Sequence, residues 1–381
     1  MEPQKPETEQ PPAPIDPIEN MELPRVEQAV VSARPNTYKR LSVILGVLLL
    51  LVIVAAAVFI ARQDNNKASL TQTPKTSTAS KTSSSTGTVQ GLQLDPNKNY
   101  GNKYANGLLP VGDGKYVTDG AKQGYVYACS GYATNLKSAS GGAGTRGPWF
   151  VGTTQYDINK KAHVQGSVMW QAEFSNKVSG DTRTIVTNDL PDHPTGVFPI
   201  SAADPAYAYD RNPNSIKGQT FTYDLSAAPS YGDPSCIGGQ VGIMLSGVAL
   251  FSGFDAGGRD AGAWEVQDSC SGHPEKTGTY HYHTLSSCIK NIDTKTVIGF
   301  ALDGFPITGP KVADGNILTT NDLDVCHGLT SQIVLDGKTV TSYHYVMTQD
   351  FPYSVACYRG QAIQPPGMGS GVPASQTPPA R

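Results

Sequence analysis

Apolar residues along this chain fall into one long run and many short ones. The long run extends from Leu41 to Ile60, twenty residues without a charge. As a helix it measures about 30 Å, the thickness of a bilayer's hydrocarbon core, which predicts a single transmembrane helix over residues 41–60. A cleaved signal peptide fits less well. The run is too long, begins too late and has no small-residue cleavage site after it. Residues 1–40 are rich in Pro and Glu and read as a disordered cytoplasmic tail. Residues 61–95, dominated by Ser, Thr, Lys and Gln, read as a flexible stalk, and residues 363–381 as a second loose tail.

The short runs lie between these ends, at residues 125–128, 167–174, 182–186, 219–225, 241–245, 297–302 and 332–335. They are rich in β-branched and aromatic residues and are bounded by turn signals, which is the signature of strands. Asp336-Gly337 between residues 335 and 338 suits a tight hairpin with positive φ, and Asp303-Gly304 marks a turn after residue 302. No other segment shows a sustained helical period. The pattern predicts a mostly β domain over residues 96–362, β-sandwich-like, with α+β and short surface helices as the alternative.

Composition sharpens this picture in two ways. Gly (40) and Pro (28) are plentiful, while the net charge is only −3. That balance favours short strands and many turns, and the scattered basic residues give nucleic acid no surface. All six cysteines (129, 236, 270, 288, 326 and 357) follow the apolar run and none precedes it. An even number on one side suits an oxidising compartment and predicts a disulfide-bridged extracytoplasmic domain, with the cytoplasmic tail on the other face of the cell membrane. Lys39 and Arg40 ahead of the run favour the same orientation. Neighbour pairing proposes Cys270–Cys288 and Cys326–Cys357, leaving Cys129–Cys236, out of fifteen possible connectivities.

The candidate chemistry lies in Tyr280-His281-Tyr282-His283, bracketed by Cys270 and Cys288 and preceded by His273. In a strand His281 and His283 share one face, close enough to reach one metal ion, and Tyr280 and Tyr282 share the other as core aromatics. The stretch resembles the YHYH domain family, which is named for this tetrapeptide. Asn188 to Ile200, Gly247 to Leu250, Phe254 to Asp260, Gly299 to Ile307 and Asp350 to Tyr353 are similar to other blocks of that family, so the resemblance covers roughly residues 125–362. It implies a domain of that kind and carries no settled activity.

The stretch also has an internal partner. Asp268, Cys270, Gly272 and Tyr280-His281-Tyr282 can be laid on Asp324, Cys326, Gly328 and Tyr343-His344-Tyr345, with a longer gap in the second copy where Asp336-Gly337 sits. The second copy has Leu329 in place of His273 and Val346 in place of His283, but has His327 after its cysteine.

Five of the seven histidines lie between residues 273 and 344. Imidazole clusters suit copper or zinc, and the candidate ligands are His273, His281, His283 and His344. Asp268, Asp324 and Glu265 are candidate carboxylates for orienting the imidazoles. Three readings stand side by side: a membrane-anchored metal-binding domain; a cell-surface interaction module with a structural His/Tyr network; and an enzyme acting on an envelope component, with Glu265 or Asp303 as general base beside a metal. Zinc-finger cysteine spacing, a phosphate loop and a serine-hydrolase elbow are absent from the sequence. Trp149, Trp170 and Trp264 could add a stacking surface.

Overall fold

The computed structural model describes residues 90–138 and 144–366. The chain divides into Met1–Ser84 and Ser85–Arg381, and only the second unit contains described residues. The tail 1–40, the apolar run from Leu41 to Ile60 and most of the stalk lie outside the described residues, as do nearly all of residues 363–381. Among the described residues no helix is long and apolar enough to cross a membrane.

The unit is mostly β. Five short strands come first: β1 (Leu108–Pro110), β2 (Tyr116–Val117), β3 (Val126–Tyr127), β4 (Phe150–Val151) and β5 (Gln155–Asp157). They form a sheet in the order β1-β5-β4 and a parallel pair β2-β3. Next come β6 (Phe174–Ser179), β7 (Thr182–Thr187) and β8 (Phe221–Ser226), which pair antiparallel in that order. Residues 167–173 do not extend this sheet, although their apolar content predicts a strand. The strand instead runs forward through the polar Ser175 to Ser179, because the turn that closes the β6–β7 hairpin is at Gly180, with φ 58°.

The remaining eight strands make one mixed sheet. They are β9 (Gln240–Met244), β10 (Ala249–Phe251), β11 (Gly272–Pro274), β12 (Tyr280–Tyr282), β13 (Val297–Ala301), β14 (Pro306–Thr308), β15 (Gly328–Leu335) and β16 (Lys338–Val346). Their order is β11-β12-β10-β9-β13-β14-β16-β15. This order is a palindrome of two four-strand units. Hairpin β9–β10 corresponds to β13–β14, and hairpin β11–β12 to β15–β16. The halves meet where β9 pairs antiparallel with β13, with Ile243 opposite Phe300, Gly242 opposite Ala301 and Met244 opposite Gly299. In sequence, residues 241–251 overlay 298–308. Gly247 and Gly304 fall together in the β9–β10 and β13–β14 turns, each with φ 88°. The duplication is therefore larger than the Tyr-His-Tyr segments alone.

The sheet of β6, β7 and β8 shares its core with the large sheet through Ile185, Tyr223, Leu225, Ile243 and Phe300, all buried. Burying each such side chain contributes about 1.5–3 kcal/mol. Buried Arg183 on β7 lies 4.1 Å from the Phe300 ring and donates to Asp336 at 3.0 and 2.6 Å. Asp336 and Gly337 form the expected β15–β16 hairpin turn, with φ 50° and 76°. The three disulfides are Cys129–Cys236, Cys270–Cys288 and Cys326–Cys357, the neighbour pairing plus the remaining pair. Each contributes about 2–4 kcal/mol, chiefly by restricting the unfolded chain.

The folded unit reaches past the boundaries drawn from composition. Leu94 donates to the Thr330 carbonyl at 3.1 Å, and Ile363 to that of Leu302 at 3.0 Å. The last residues of the stalk and the first of the tail thus take part in the fold's hydrogen bonding.

Candidate metal centre

His273 on β11 stands directly opposite His281 on β12, and His283 follows one residue beyond the end of β12. Cross-strand partners and i, i+2 neighbours share a face, so all three imidazoles converge. Their ring centroids are 4.5, 4.8 and 5.5 Å apart, and all three residues are buried. Glu265 comes from another direction. It ends the short helix Ala261–Trp264, which is capped by the Asp260 side chain and held by the Trp149 indole donating to Ala263 at 2.8 Å. Its Oε2 lies 3.3 Å from His273 Nε2 and 3.2 Å from His283 Nε2. Neither contact has hydrogen-bond geometry, and both atoms of the first are buried without a hydrogen-bond partner.

The protonation pattern follows from the outer partners. His281 Nδ1 is 3.1 Å from the Thr279 carbonyl, and His283 Nδ1 contacts the Ser252 carbonyl. A carbonyl oxygen only accepts, so both Nδ1 atoms carry the proton and donate it. Burial pushes both imidazoles toward the neutral form, His281 well down and His283 to about 4. Their Nε2 atoms are then bare lone pairs, yet they face each other at 3.0 Å. Two acceptors with nothing between them repel. A cation bound by both removes the conflict. Ligands about 2.0–2.1 Å from a tetrahedral zinc ion are about 3.3 Å from one another; the His281–His283 Nε2 pair and the two contacts of Glu265 Oε2 measure 3.0, 3.3 and 3.2 Å, and the ligand atoms of the three histidines all lie within 4.8 Å of one another.

The carboxylate completes the electrostatics. Burial alone would push Glu265 up, but its imidazole neighbours, His273 foremost, outweigh it and hold the acid well below its usual range. His273 is pushed down by burial and raised more strongly by Glu265, for a net rise. Phe251 stacks on His281 with ring centroids 4.1 Å apart and meets His283 edge-on, which walls the site with apolar surface.

Other predicted residues have different places. His344 does not join the three. Five inter-strand spacings separate β12 from β16, roughly 24 Å. Its Nδ1 and Nε2 each lie 2.9 Å from a hydroxyl, of Thr308 and Ser331. Asp268 and Asp324 do not orient imidazoles; they hold turns. Asp268 accepts from the backbone N–H of Cys270, Gly272 and Gly196 and from the Tyr280 hydroxyl. Asp324 accepts from Cys326, Gly328 and the Tyr343 hydroxyl, and from Arg359. Asp303 is occupied by the Tyr345 hydroxyl at 2.6 Å and by three backbone N–H groups, so it is not a free base. The orienting partners of His281 and His283 are backbone carbonyls, which no side-chain motif records.

Residues 222–317 match the model of a family described as YHYH protein. The chain carries a YHYH domain. The matched stretch is shorter than the span of the sequence resemblance. It runs from β8 past β14, so it contains Glu265 and the three histidines but not β15 or β16. No curated protein and no solved structure matches the chain. Within the YHYH domain, Tyr280 and Tyr282 are buried as core aromatics. The tetrapeptide thus presents one pair of side chains to the core and the other to the centre. A second grouping, His193 with Cys270 and Cys288, is also close enough to hold an ion. Its sulfurs are joined in a disulfide, however, and metals take thiolates.

Proposed function

We propose that this YHYH domain binds a transition metal ion, zinc or copper, through His273, His281, His283 and Glu265. The carrying observation is the pair of unprotonated Nε2 atoms 3.0 Å apart, with both Nδ1 protons committed to carbonyls. Three imidazoles and one carboxylate form a donor set suited to these ions. The test is elemental analysis of the full-length chain after exposure to copper and zinc, against a variant with His281→Ala and His283→Ala. The reading expects about one equivalent of metal in the parent and a small fraction of that in the variant. Equal metal in the two, or none in either, defeats it.

We further propose that the run from Leu41 to Ile60 anchors the protein in the cell membrane with the β unit outside, where an envelope component is within reach. Support comes from the uncharged length of that run and from six cysteines that follow it and are all paired. Protease applied to intact cells should digest the β unit; protection of it would contradict this topology. A structural role for the YHYH strand is the second reading, favoured by one observation. The β15–β16 unit keeps the same turn and tyrosines with Leu329 and Val346 in place of two ligands.

A further inference from the structure

Beside the proposed metal centre lies a group of hydrogen-bond donors whose capacity the protein does not use. Lys161 follows the turn Ile158–Lys160, and its Nζ donates to Gln267 Oε1 at 3.1 Å. Among the described residues no carboxylate comes within 4.0 Å of that ammonium. Of the acids that act on it, Asp260, Glu265 and Asp210, Glu265 belongs to the proposed metal centre and the other two are engaged elsewhere. Asp210 accepts from the backbone N–H of Val266 and Asn212, and Asp260 from Gly112 and the Tyr353 hydroxyl. An ammonium has three protons to donate, and here one is taken by a neutral amide.

Gln267 adds a second unfilled donor. It is buried, and its Nε2 has no hydrogen-bond partner. The backbone at Glu265 is extended, with φ −81° and ψ 135°. Val266, next to Glu265, packs into the core, and Gln267 beyond it meets Lys161, whose charge acts on Glu265, His273 and His283. His273 Nδ1, on the outer edge of a proposed ligand, is likewise buried without a partner. Leaving a buried donor unmatched costs about 1–3 kcal/mol, so two such groups beside an ammonium with one protein acceptor are not a neutral arrangement.

We propose that Lys161 and Gln267 form a subsite for an oxyanion group, a carboxylate or phosphate, on a small ligand that joins the four protein donors as a fifth ligand of the metal. This rests on the metal reading above. Charged, acceptor-only oxygens satisfy the ammonium and the amide together, whereas a neutral ligand leaves the ammonium uncompensated. The site would then select small acids at an otherwise apolar, Phe251-walled centre.

The test loads the full-length chain with cobalt(II), whose visible spectrum reports its ligands, and titrates acetate, phosphate and neutral acetamide. The proposal expects at least one of the two anions to shift the spectrum while acetamide does not; the tighter of the two anions identifies the class. Lys161→Met should weaken that binding about tenfold or more with cobalt uptake intact, and Lys161→Arg should restore most of it. Gln267→Leu should weaken it without changing uptake. An anion response unchanged in Lys161→Met, or matched by acetamide, overturns the subsite. Cobalt uptake without any anion response overturns the subsite alone. Failure to take up cobalt overturns the metal reading and the subsite with it.

Discussion

At one end of the eight-stranded sheet His281 faces His273 across a strand pair; at the other His344 faces Leu329. The surroundings of these pairs match closely. Asp268 and Asp324 each clamp a turn and a tyrosine hydroxyl, and Ser271 and His327 occupy the same left-handed position with φ 64° and 72°. A Cβ on Gly272 would lie 2.2 Å from the Tyr280 ring, and one on Gly328 2.3 Å from the Tyr343 hydroxyl, so neither position admits a side chain. Tyr282 meets Ser246 and Tyr345 meets Asp303, at corresponding positions. The scaffold is common to both ends, and the groups around the shared histidine differ. Phe251 stacks on His281, while Thr308, its counterpart, hydrogen-bonds His344. One end gathers lone pairs that nothing satisfies, and the other matches both nitrogens with hydroxyls. The shared scaffold alone therefore does not gather a cluster that could hold an ion; His273, His283 and Glu265 complete it at one end only.

The largest expected contrast is in metal binding. His281→Ala or Glu265→Gln should lower zinc affinity at least about 100-fold, because loss of an outer-sphere partner alone costs 10–100-fold. His344→Ala should leave affinity unchanged. Competition against a chromophoric chelator measures all three, and a comparable loss in His344→Ala would break the distinction between the ends.

Stability should reverse the ranking. In excess chelator His344→Ala should cost about 2–4 kcal/mol, from a cavity and the two stranded hydroxyls of Thr308 and Ser331. His281→Ala should cost less under the same conditions, since it also relieves the Nε2 conflict. Urea unfolding of the metal-free proteins gives the comparison.

Acid should act on the buried imidazoles of both ends, and at the second end on His327 and His344. Burial pushes His327 down to about 3 and His344 to about 4. A pKa depressed in the folded state gives stability that is full above the unfolded value, near 6.5, and is lost as pH falls through the folded values. Between pH 7 and pH 5 each of these imidazoles should therefore remove about 2 kcal/mol from the unfolding free energy. Unfolding of His344→Leu at the two pH values checks this: the variant should lose about 2 kcal/mol less than its parent over that interval. An equal loss would show that His344 is not held neutral.

The smallest contrast concerns the two disulfides that bracket the copies. Their sequence separations are 18 for Cys270–Cys288 and 31 for Cys326–Cys357. Loop entropy alone makes removal of the second costlier by about 0.5 kcal/mol. Paired Cys→Ala variants, compared by urea unfolding without metal, give that difference. A much larger loss at the first pair would mean that it also positions His273.

The mostly β class, the paired cysteines, the Asp-Gly hairpin and the shared face of His281 and His283 were all legible in the order of residues. These depend on alternation along a strand, local turn chemistry and short chain separation, all of which a linear pattern records. It also exposed the repeat of Asp, Cys, Gly and Tyr-His-Tyr. It did not place His344, because identical tripeptides look equivalent until the sheet order sets them at opposite ends. Glu265 was visible as an acid near the histidines, but its direct approach is fixed by a capped helical turn and the Trp149 contact, not by spacing. The tautomers of His281 and His283, the Phe251 wall and the approach of Lys161 to Gln267 came from the folded chain alone. Each joins segments that chain distance does not relate, and backbone carbonyls, which set the lone pairs, have no residue identity to read.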